Sequence, residues 1–163
     1  MMRIAAAFAF SVVVAGCQGV STVTQLEDDS KTPGSAQSGS LALQLDAPAQ
    51  ARVGTPLRLK LTLTNTTKQP VQVMLGGRPP YDFVLTSADG AKSWRWSADQ
   101  AIQMILETRT LKPGEQLAYD AEWRVKDRSG DLPSPGRYKV RAVLNMDPPD
   151  KLETTARELV LTE

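Results

Sequence analysis

The sequence contains no histidine and a single cysteine, Cys17, among its 163 residues. Histidine is the commonest general base and zinc ligand, so its absence removes the side chain on which most hydrolytic mechanisms depend. One cysteine cannot form a disulfide or a cysteine-based metal site within one chain. We therefore expect a protein that is not an enzyme, without catalytic residues, cofactor or metal ion.

The chain also lacks an excess of charge of either sign. It has 19 Lys and Arg residues against 18 Asp and Glu residues, a formal net charge of +1. A nucleic-acid-binding surface requires a basic patch, and here the two signs are interspersed. We therefore expect no nucleic-acid partner and no small-molecule substrate, and the partner that we predict is another protein.

Long hydrophobic runs are missing except at the amino terminus. Residues 4–14 (IAAAFAFSVVV) are apolar apart from one serine, a length too short to span a bilayer and typical of a secretory signal. The following Val14-Ala15-Gly16-Cys17 looks like a bacterial lipobox, although an ordinary signal with a chance cysteine remains the alternative. We predict a signal peptide over residues 1–16 and acyl chains such as palmitate on Cys17, which anchor the chain to a membrane of the cell envelope. Gln18 favours the outer membrane if the organism has one.

The next stretch has few large apolar residues. Residues 18–40 are rich in Ser, Thr, Gly, Gln and Asp, and such a segment cannot bury enough surface to offset its ordering entropy. We predict that residues 17–40, the lipidated cysteine and the polar segment after it, form a flexible tether with a reach of roughly 25–30 Å.

From Leu41 onward, apolar residues recur at every second position. The clearest case is residues 57–64, where four leucines alternate with Arg and Lys and then Thr, the pattern of a half-buried antiparallel strand. The same alternation recurs in residues 41–45, 71–75, 83–85, 117–125, 138–144 and 159–161. Gly- and Pro-containing turns separate these runs. The spacing predicts an all-β domain over residues 41–163, an immunoglobulin-like antiparallel β-sandwich.

Two local features of this domain carry expectations of their own. Pro135-Gly136-Arg137-Tyr138 predicts a tyrosine corner, in which the Tyr138 hydroxyl bonds to a nearby backbone group. Residues 97–106 have both helical and strand spacing, and we favour a turn that runs into a strand.

A series of short motifs points to a known family. In chain order they are Tyr81-Asp82-Phe83, Trp94-Arg95-Trp96-Ser97, Leu111-Lys112-Pro113-Gly114-Glu115 and Pro135-Gly136-Arg137-Tyr138. With them, residues 57–163 resemble the BsuPI-type proteinase inhibitor domain, named for an intracellular inhibitor of a subtilisin-like serine protease. The resemblance implies inhibition. Because this chain carries an export signal, the target that we expect is extracytoplasmic. The signature residues taken from the resemblance are Tyr81, Asp82, Phe83, Trp94, Trp96, Ser97, Pro113 and Gly114.

The candidate protein-binding loop follows the third predicted strand. It comprises Gly77, Arg78, Pro79, Pro80 and Tyr81. Prolines stiffen such a loop, so little entropy is lost on docking, and Arg and Tyr are favoured interface anchors. The alternative is a plain connection with Tyr81 at the edge of the core. Residues 146–151 form a second proline-containing loop with the same two interpretations.

The tryptophans also have two interpretations. Trp94 and Trp96, on one face of a predicted strand, and Trp123 could stack on a sugar or peptide, but we favour the core. Asp82 and Arg95 are predicted to form an ion pair that orients the signature region.

Two functions remain open from the sequence. One is a proteinase inhibitor of the cell envelope, and the other is a non-inhibitory protein-binding or scaffolding module there. Fold alone cannot separate them, because β-sandwiches support many functions.

Overall fold

The computed structural model describes residues 34–126, 130–146 and 151–163. These residues form twelve strands and one short 3₁₀ turn, Trp96–Asp99. In chain order the strands are β1 (Gly34–Ser38), β2 (Leu41–Asp46), β3 (Gln50–Arg52), β4 (Leu57–Asn65), β5 (Val71–Arg78), β6 (Tyr81–Ser87), β7 (Ser93–Arg95), β8 (Gln103–Leu111), β9 (Gln116–Trp123), β10 (Gly136–Asn145), β11 (Lys151–Glu153) and β12 (Arg157–Thr162).

The strands are arranged in three sheets. The first has the order β1-β2-β4-β9, and the second has the order β3-β12-β10-β6-β7 with β11 also beside β10. Strands β5 and β8 form a separate two-stranded sheet. Pairing is antiparallel except between β3 and β12. The prediction of an all-β antiparallel sandwich is confirmed.

Strand β4 shows how the sequence produces the core. Its leucines at positions 57, 59, 61 and 63 are at most 2% exposed, whereas Arg58 and Lys60 point to solvent. Strands β2 and β9 flank β4 on either side. On the opposite sheet, Phe83, Val140 and Leu159 are equally buried. Each such side chain stabilises the fold by roughly 1.5–3 kcal/mol relative to an exposed one.

All three tryptophans lie in this core, which confirms the structural interpretation over ligand stacking. Trp94, Trp96 and Trp123 are buried, and the ring of Trp94 meets that of Tyr138 edge-on at 5.8 Å. The expectation that Trp94 and Trp96 share a strand face is wrong in one respect. Strand β7 ends at Arg95, and Trp96 begins the 3₁₀ turn.

The tyrosine corner is also confirmed. The hydroxyl of Tyr138 donates a 2.6 Å hydrogen bond to the carbonyl oxygen of Ser134. Burial, with a smaller contribution from the charge of Asp89, raises the pKa of Tyr138. The bond fixes the entry of the chain into β10, the strand that pairs with both β6 and β12.

The amino-terminal boundary of the fold differs from the prediction. Strand β1 pairs antiparallel with β2, with Gly34 opposite Leu45 and Ser38 opposite Leu41. The last part of the predicted tether therefore belongs to the sheet, because a strand added at an edge is held by backbone hydrogen bonds and needs few apolar side chains. The predicted signal peptide and Cys17 lie outside the described residues. Within the described part of the chain, no helix has the length and hydropathy needed to cross a membrane.

The interpretation of residues 97–106 as a turn that runs into a strand is confirmed. The 3₁₀ turn ends at Asp99, and β8 begins at Gln103. Strand β8 then pairs with β5 from Leu111 opposite Val71 to Gln103 opposite Arg78, with a register shift between Gly76 and Arg78.

Candidate functional site

The signature residues Asp82 and Ser97 form one hydrogen-bonded cluster with Arg95. The Asp82 carboxylate, 4% exposed, accepts bonds from Arg95 Nε at 2.8 Å, from the backbone N–H of Ser97 at 2.9 Å and from the Ser97 hydroxyl at 2.8 Å. The predicted ion pair between Asp82 and Arg95 is therefore present. A carboxylate this deeply buried is costly unless it is hydrogen-bonded, so these three bonds let it hold the 3₁₀ turn against β6. We refer to this cluster as the Asp82 clamp.

The other signature residues near the Asp82 clamp form an aromatic cluster. Tyr81 stacks on Trp96 with ring centroids 5.1 Å apart and an interplanar angle of 23°. It also contacts Phe83 edge-on at 5.6 Å and Tyr119 at 5.0 Å. Burial, and to a lesser extent the negative charge of Asp120, raises the pKa of Tyr81. Of the two interpretations of Tyr81, the structure supports the edge of the core.

The predicted protein-binding loop is mostly strand. Gly77 and Arg78 belong to β5, and only Pro79 and Pro80 connect it to β6. The connection between β5 and β6 is therefore shorter than the candidate loop 77–81, because β5 extends to Arg78, which lies opposite Gln103 across a register shift that the sequence does not reveal. Gly77 has a φ of +91°, a conformation that favours glycine. Among the candidate residues, Arg78 is exposed, and its Nη2 lies 3.3 Å from Glu107 Oε2.

The signature residues Pro113 and Gly114 serve a turn that is locked by Asn65. The side-chain amide of Asn65, which is fully buried, donates to the carbonyl oxygens of Gln69, Leu111 and Lys112 at 2.8–3.2 Å. The N–H of Gly114, at φ +73°, donates to the carbonyl oxygen of Asn65 at 3.0 Å. The backbone of Gly114 therefore ties the β8–β9 turn to the end of β4, while Pro113 and Gly114 are themselves exposed.

An exposed apolar surface on the two-stranded sheet was not predicted from the sequence. Six large apolar side chains are exposed among the described residues, and five of them lie on β5, on β8 or directly before β8. These five are Met74, Ile102, Met104, Ile105 and Leu106, which are close in sequence and register but divided between the two faces of the sheet, and we refer to them as the β8 surface. Single exposed apolar residues are ordinary, but a cluster marks a candidate binding site.

The cluster is continuous with the glycines of β5. Leu106 lies opposite Gly76, and its Cδ2 is 4.0 Å from the point where a Cβ on Gly76 would lie. The methyl Cγ2 of Ile102 is 3.4 Å from the corresponding point on Gly77. Because Gly76 and Gly77 have no side chains, the apolar atoms of the neighbouring strand stay uncovered. The only signal in the sequence was the apolar run Met104-Ile105-Leu106, which departs from the alternation found elsewhere.

Strand β8 also has an open edge. Within the described ranges it pairs with β5 on one side and with no strand on the other, and Leu111 is its only buried residue. An edge of this kind presents unpaired backbone N–H and C=O groups that can pair with another chain. The geometry therefore combines an exposed backbone edge with exposed apolar side chains.

The residues with acid–base or metal-binding potential do not form a comparable site. Across the described ranges, no group of three or more His, Cys, Asp or Glu residues is arranged to hold a metal ion. Glu107 is bound to Arg78 and, through Oε1, to Nη2 of Arg109 at 2.5 Å. These hydrogen bonds, first that of Arg78 and then that of Arg109, lower the pKa of Glu107 below its ordinary value.

The fold is that of an immunoglobulin-like β-sandwich, and five of the six large apolar side chains exposed among its described residues lie on or beside β5 and β8. The family model described as "BsuPI: Intracellular proteinase inhibitor" matches residues 43–148, more than half of the chain. The chain therefore belongs to the BsuPI family of proteinase inhibitors. No functionally curated protein matches it significantly.

Solved structures resemble the chain only remotely. A Pseudomonas fluorescens alkylpurine DNA glycosylase AlkC bound to DNA is 17% identical with a TM-score of 0.45, and the match covers 80% of this chain and 32% of that one. The Bacillus subtilis sporulation control protein Spo0M is 9% identical with a TM-score of 0.44, covering 77% and 51%. An Erythrobacter marinus β-glucosidase is 18% identical with a TM-score of 0.45, covering 76% and 15%. The matched region spans at most about half of these proteins, and the likenesses carry no functional argument.

Proposed function

We propose that this protein is a membrane-anchored proteinase inhibitor that acts on an extracytoplasmic, subtilisin-like serine protease. The single observation that carries the proposal is the match of residues 43–148 to the BsuPI inhibitor family. The chain acts as a binding partner and not as an enzyme, because it contains no histidine and no second cysteine for catalysis.

The contacts around the two-stranded sheet support this proposal. An inhibitor must offer the protease a surface that is rigid before binding, since ordering a flexible segment weakens association. The Asp82 clamp holds the turn before β8 through three hydrogen bonds. At the far end of β8, Asn65 holds the backbone of Leu111 and Lys112. The strand between these two points carries the β8 surface.

A second candidate function is a non-inhibitory protein-binding module of the cell envelope. The predicted export signal favours it, because that signal would move the chain away from the compartment named in the family description. The same exposed edge and apolar side chains would serve such a module.

A titration separates these two functions. The mature chain, residues 17–163 with Cys17→Ser to prevent lipidation, is added in increasing amounts to subtilisin. An inhibitor reduces the activity in proportion to the amount added, reaches completion near a one-to-one ratio and remains intact. Full protease activity in the presence of a large molar excess of intact chain would contradict the proposal and favour the binding module.

The membrane anchor requires its own test. We expect radioactive palmitate supplied to the producing cells to label the wild-type chain and to leave Cys17→Ala unlabelled, because the thiol is the acceptor. Ser11→Ala, which keeps the apolar run and the cysteine, is the control and should be labelled normally. An unlabelled wild-type chain, or labelled Cys17→Ala, would contradict lipidation of Cys17.

A further inference from the structure

Residues 102–106 are the part of the β8 surface that protrudes most. The side chain of Met104 is 91% exposed, compared with 38%, 39% and 62% for Ile102, Ile105 and Leu106. A thioether side chain in this position makes few contacts with its own domain. Burial of an apolar side chain lowers the free energy. Because Met104 is largely exposed, most of this stabilisation remains available for contact with a partner.

Contacts hold the chain on both sides of the segment. On its amino-terminal side, the backbone N–H and hydroxyl of Ser97 are fixed by the Asp82 clamp. On its carboxyl side, Glu107 is held by Arg78 and Arg109 at 3.3 Å and 2.5 Å. The residues in between therefore present their side chains without having to be ordered on binding.

The chemistry of the segment selects the partner. Residues 101–106 (AIQMIL) contain no Lys, Arg, Asp or Glu, so a pocket that accepts the protruding side chain must itself be apolar. Proteins that bind extended segments add them as a strand and read alternate side chains in pockets. Serine proteases carry a primary specificity pocket that is acidic in trypsin and a hydrophobic slot in chymotrypsin.

The shape argues against a second copy of this chain as the occupant. Two-fold pairing places the same surface patch against itself. Because side chains stand perpendicular to a sheet, edge-to-edge pairing of β8 with β8 would leave Met104 on the face of the joined sheet, without a pocket to enter. A concave pocket fits this side chain better.

Building on the proposed function, we infer that residues 102–106 enter the active-site cleft of a serine protease as an added strand. Met104 then occupies an apolar primary specificity pocket. The contact with the protease then lies on the strand opposite the candidate residues 77–81. The class of protease that is recognised follows from the apolar character of its pocket.

The test changes the charge of this one side chain. Mature Cys17→Ser chains carrying Met104 or Met104→Lys are titrated against subtilisin, which has an apolar pocket, and against trypsin. Because Met104 is exposed, thermal unfolding of Met104→Lys should match that of the parent chain. We expect Met104→Lys to lose about 100-fold in affinity for subtilisin, as for removal of an anchor residue, and to gain inhibition of trypsin.

Leu132→Lys is the matched control, since Leu132 is exposed but lies outside the β8 surface. It should inhibit subtilisin as the parent does. If Met104→Lys also inhibits like the parent, the contact lies elsewhere and the inference is overturned, although the proposed function stands. If the parent inhibits neither protease, both are overturned. A dimer in light scattering that Met104→Lys dissociates would show that a second copy occupies the surface, and this too would overturn the inference.

Discussion

Strands β4 and β8 are both nine residues long, but β4 is largely buried and β8 is largely exposed. In β4, every second residue is a buried leucine, and β2 and β9 pair with both edges. In β8, one residue is buried and only β5 is paired among the described strands. The comparison shows that one strand is covered by its own domain, whereas the other keeps its backbone edge and apolar side chains available for another chain.

The largest expected effect tests this contrast directly with two leucines. Leu61→Ala in β4 creates a cavity in the core and should lower the free energy of unfolding by roughly 2–5 kcal/mol. Leu106→Ala in β8 removes the same atoms from an exposed position and should change it by less than about 0.5 kcal/mol. Chemical denaturation of both variants measures the difference. Equal losses would mean that β8 is as well covered as β4.

A second, smaller effect concerns the Asp82 clamp, which holds the turn that precedes β8. Asp82→Ala leaves the partly buried N–H and hydroxyl of Ser97 without their acceptor, and we expect a loss of about 2 kcal/mol. Asp99→Ala removes the other carboxylate of the same turn, which makes only an exposed 3.7 Å pair with Lys126, and should cost less than about 0.5 kcal/mol. Thermal unfolding compares the two. Unchanged stability of Asp82→Ala would exclude the clamp.

The smallest expected effect is a loss of folding stability at alkaline pH. All three tyrosines of the chain have a pKa raised above 10.0, for which burial is the main cause. When the pKa of a group is higher in the folded than in the unfolded chain, the group stabilises the fold fully at pH values below the unfolded-state pKa. This stabilisation is lost as the pH rises above that pKa and through the folded-state pKa, because the unfolded chain ionises first. Tyrosinate absorbance should therefore appear at higher pH in the folded than in the urea-unfolded chain. Identical titration curves would contradict the burial of Tyr81, Tyr119 and Tyr138.

The features that were correctly predicted depend on local patterns. The alternation of leucines with polar residues predicted β4. A proline-glycine pair shortly before an aromatic residue predicted the Tyr138 corner. Opposite charges in two neighbouring sequence motifs predicted the ion pair of Asp82 and Arg95. These patterns fix which face of a strand meets the core. The first two are complete within one short segment, and the third joins strands that follow each other closely in the chain, so the sequence is sufficient to find them.

The features that were missed depend on which segments of the chain lie next to each other in the folded domain. The sequence of β1 is polar, so no alternation of apolar residues marked it as a strand. It joins the sheet through the pairing of its backbone with β2. Gly77 and Arg78 looked like a loop but belong to β5, where Arg78 lies opposite Gln103 of β8 after a register shift. The exposure of Met104 depends on how the elements of the described chain pack around β8, and no property of a methionine in a sequence reveals that.

Hydrogen exchange of the mature chain, with and without a protease whose catalytic serine is replaced by alanine, tests the central comparison most directly. The account predicts that the amides of β4 are slow in both samples, whereas those of residues 102–106 exchange fast alone and slow markedly in the complex. Unchanged exchange at residues 102–106 while the protease is bound, with new protection at another segment, would contradict it.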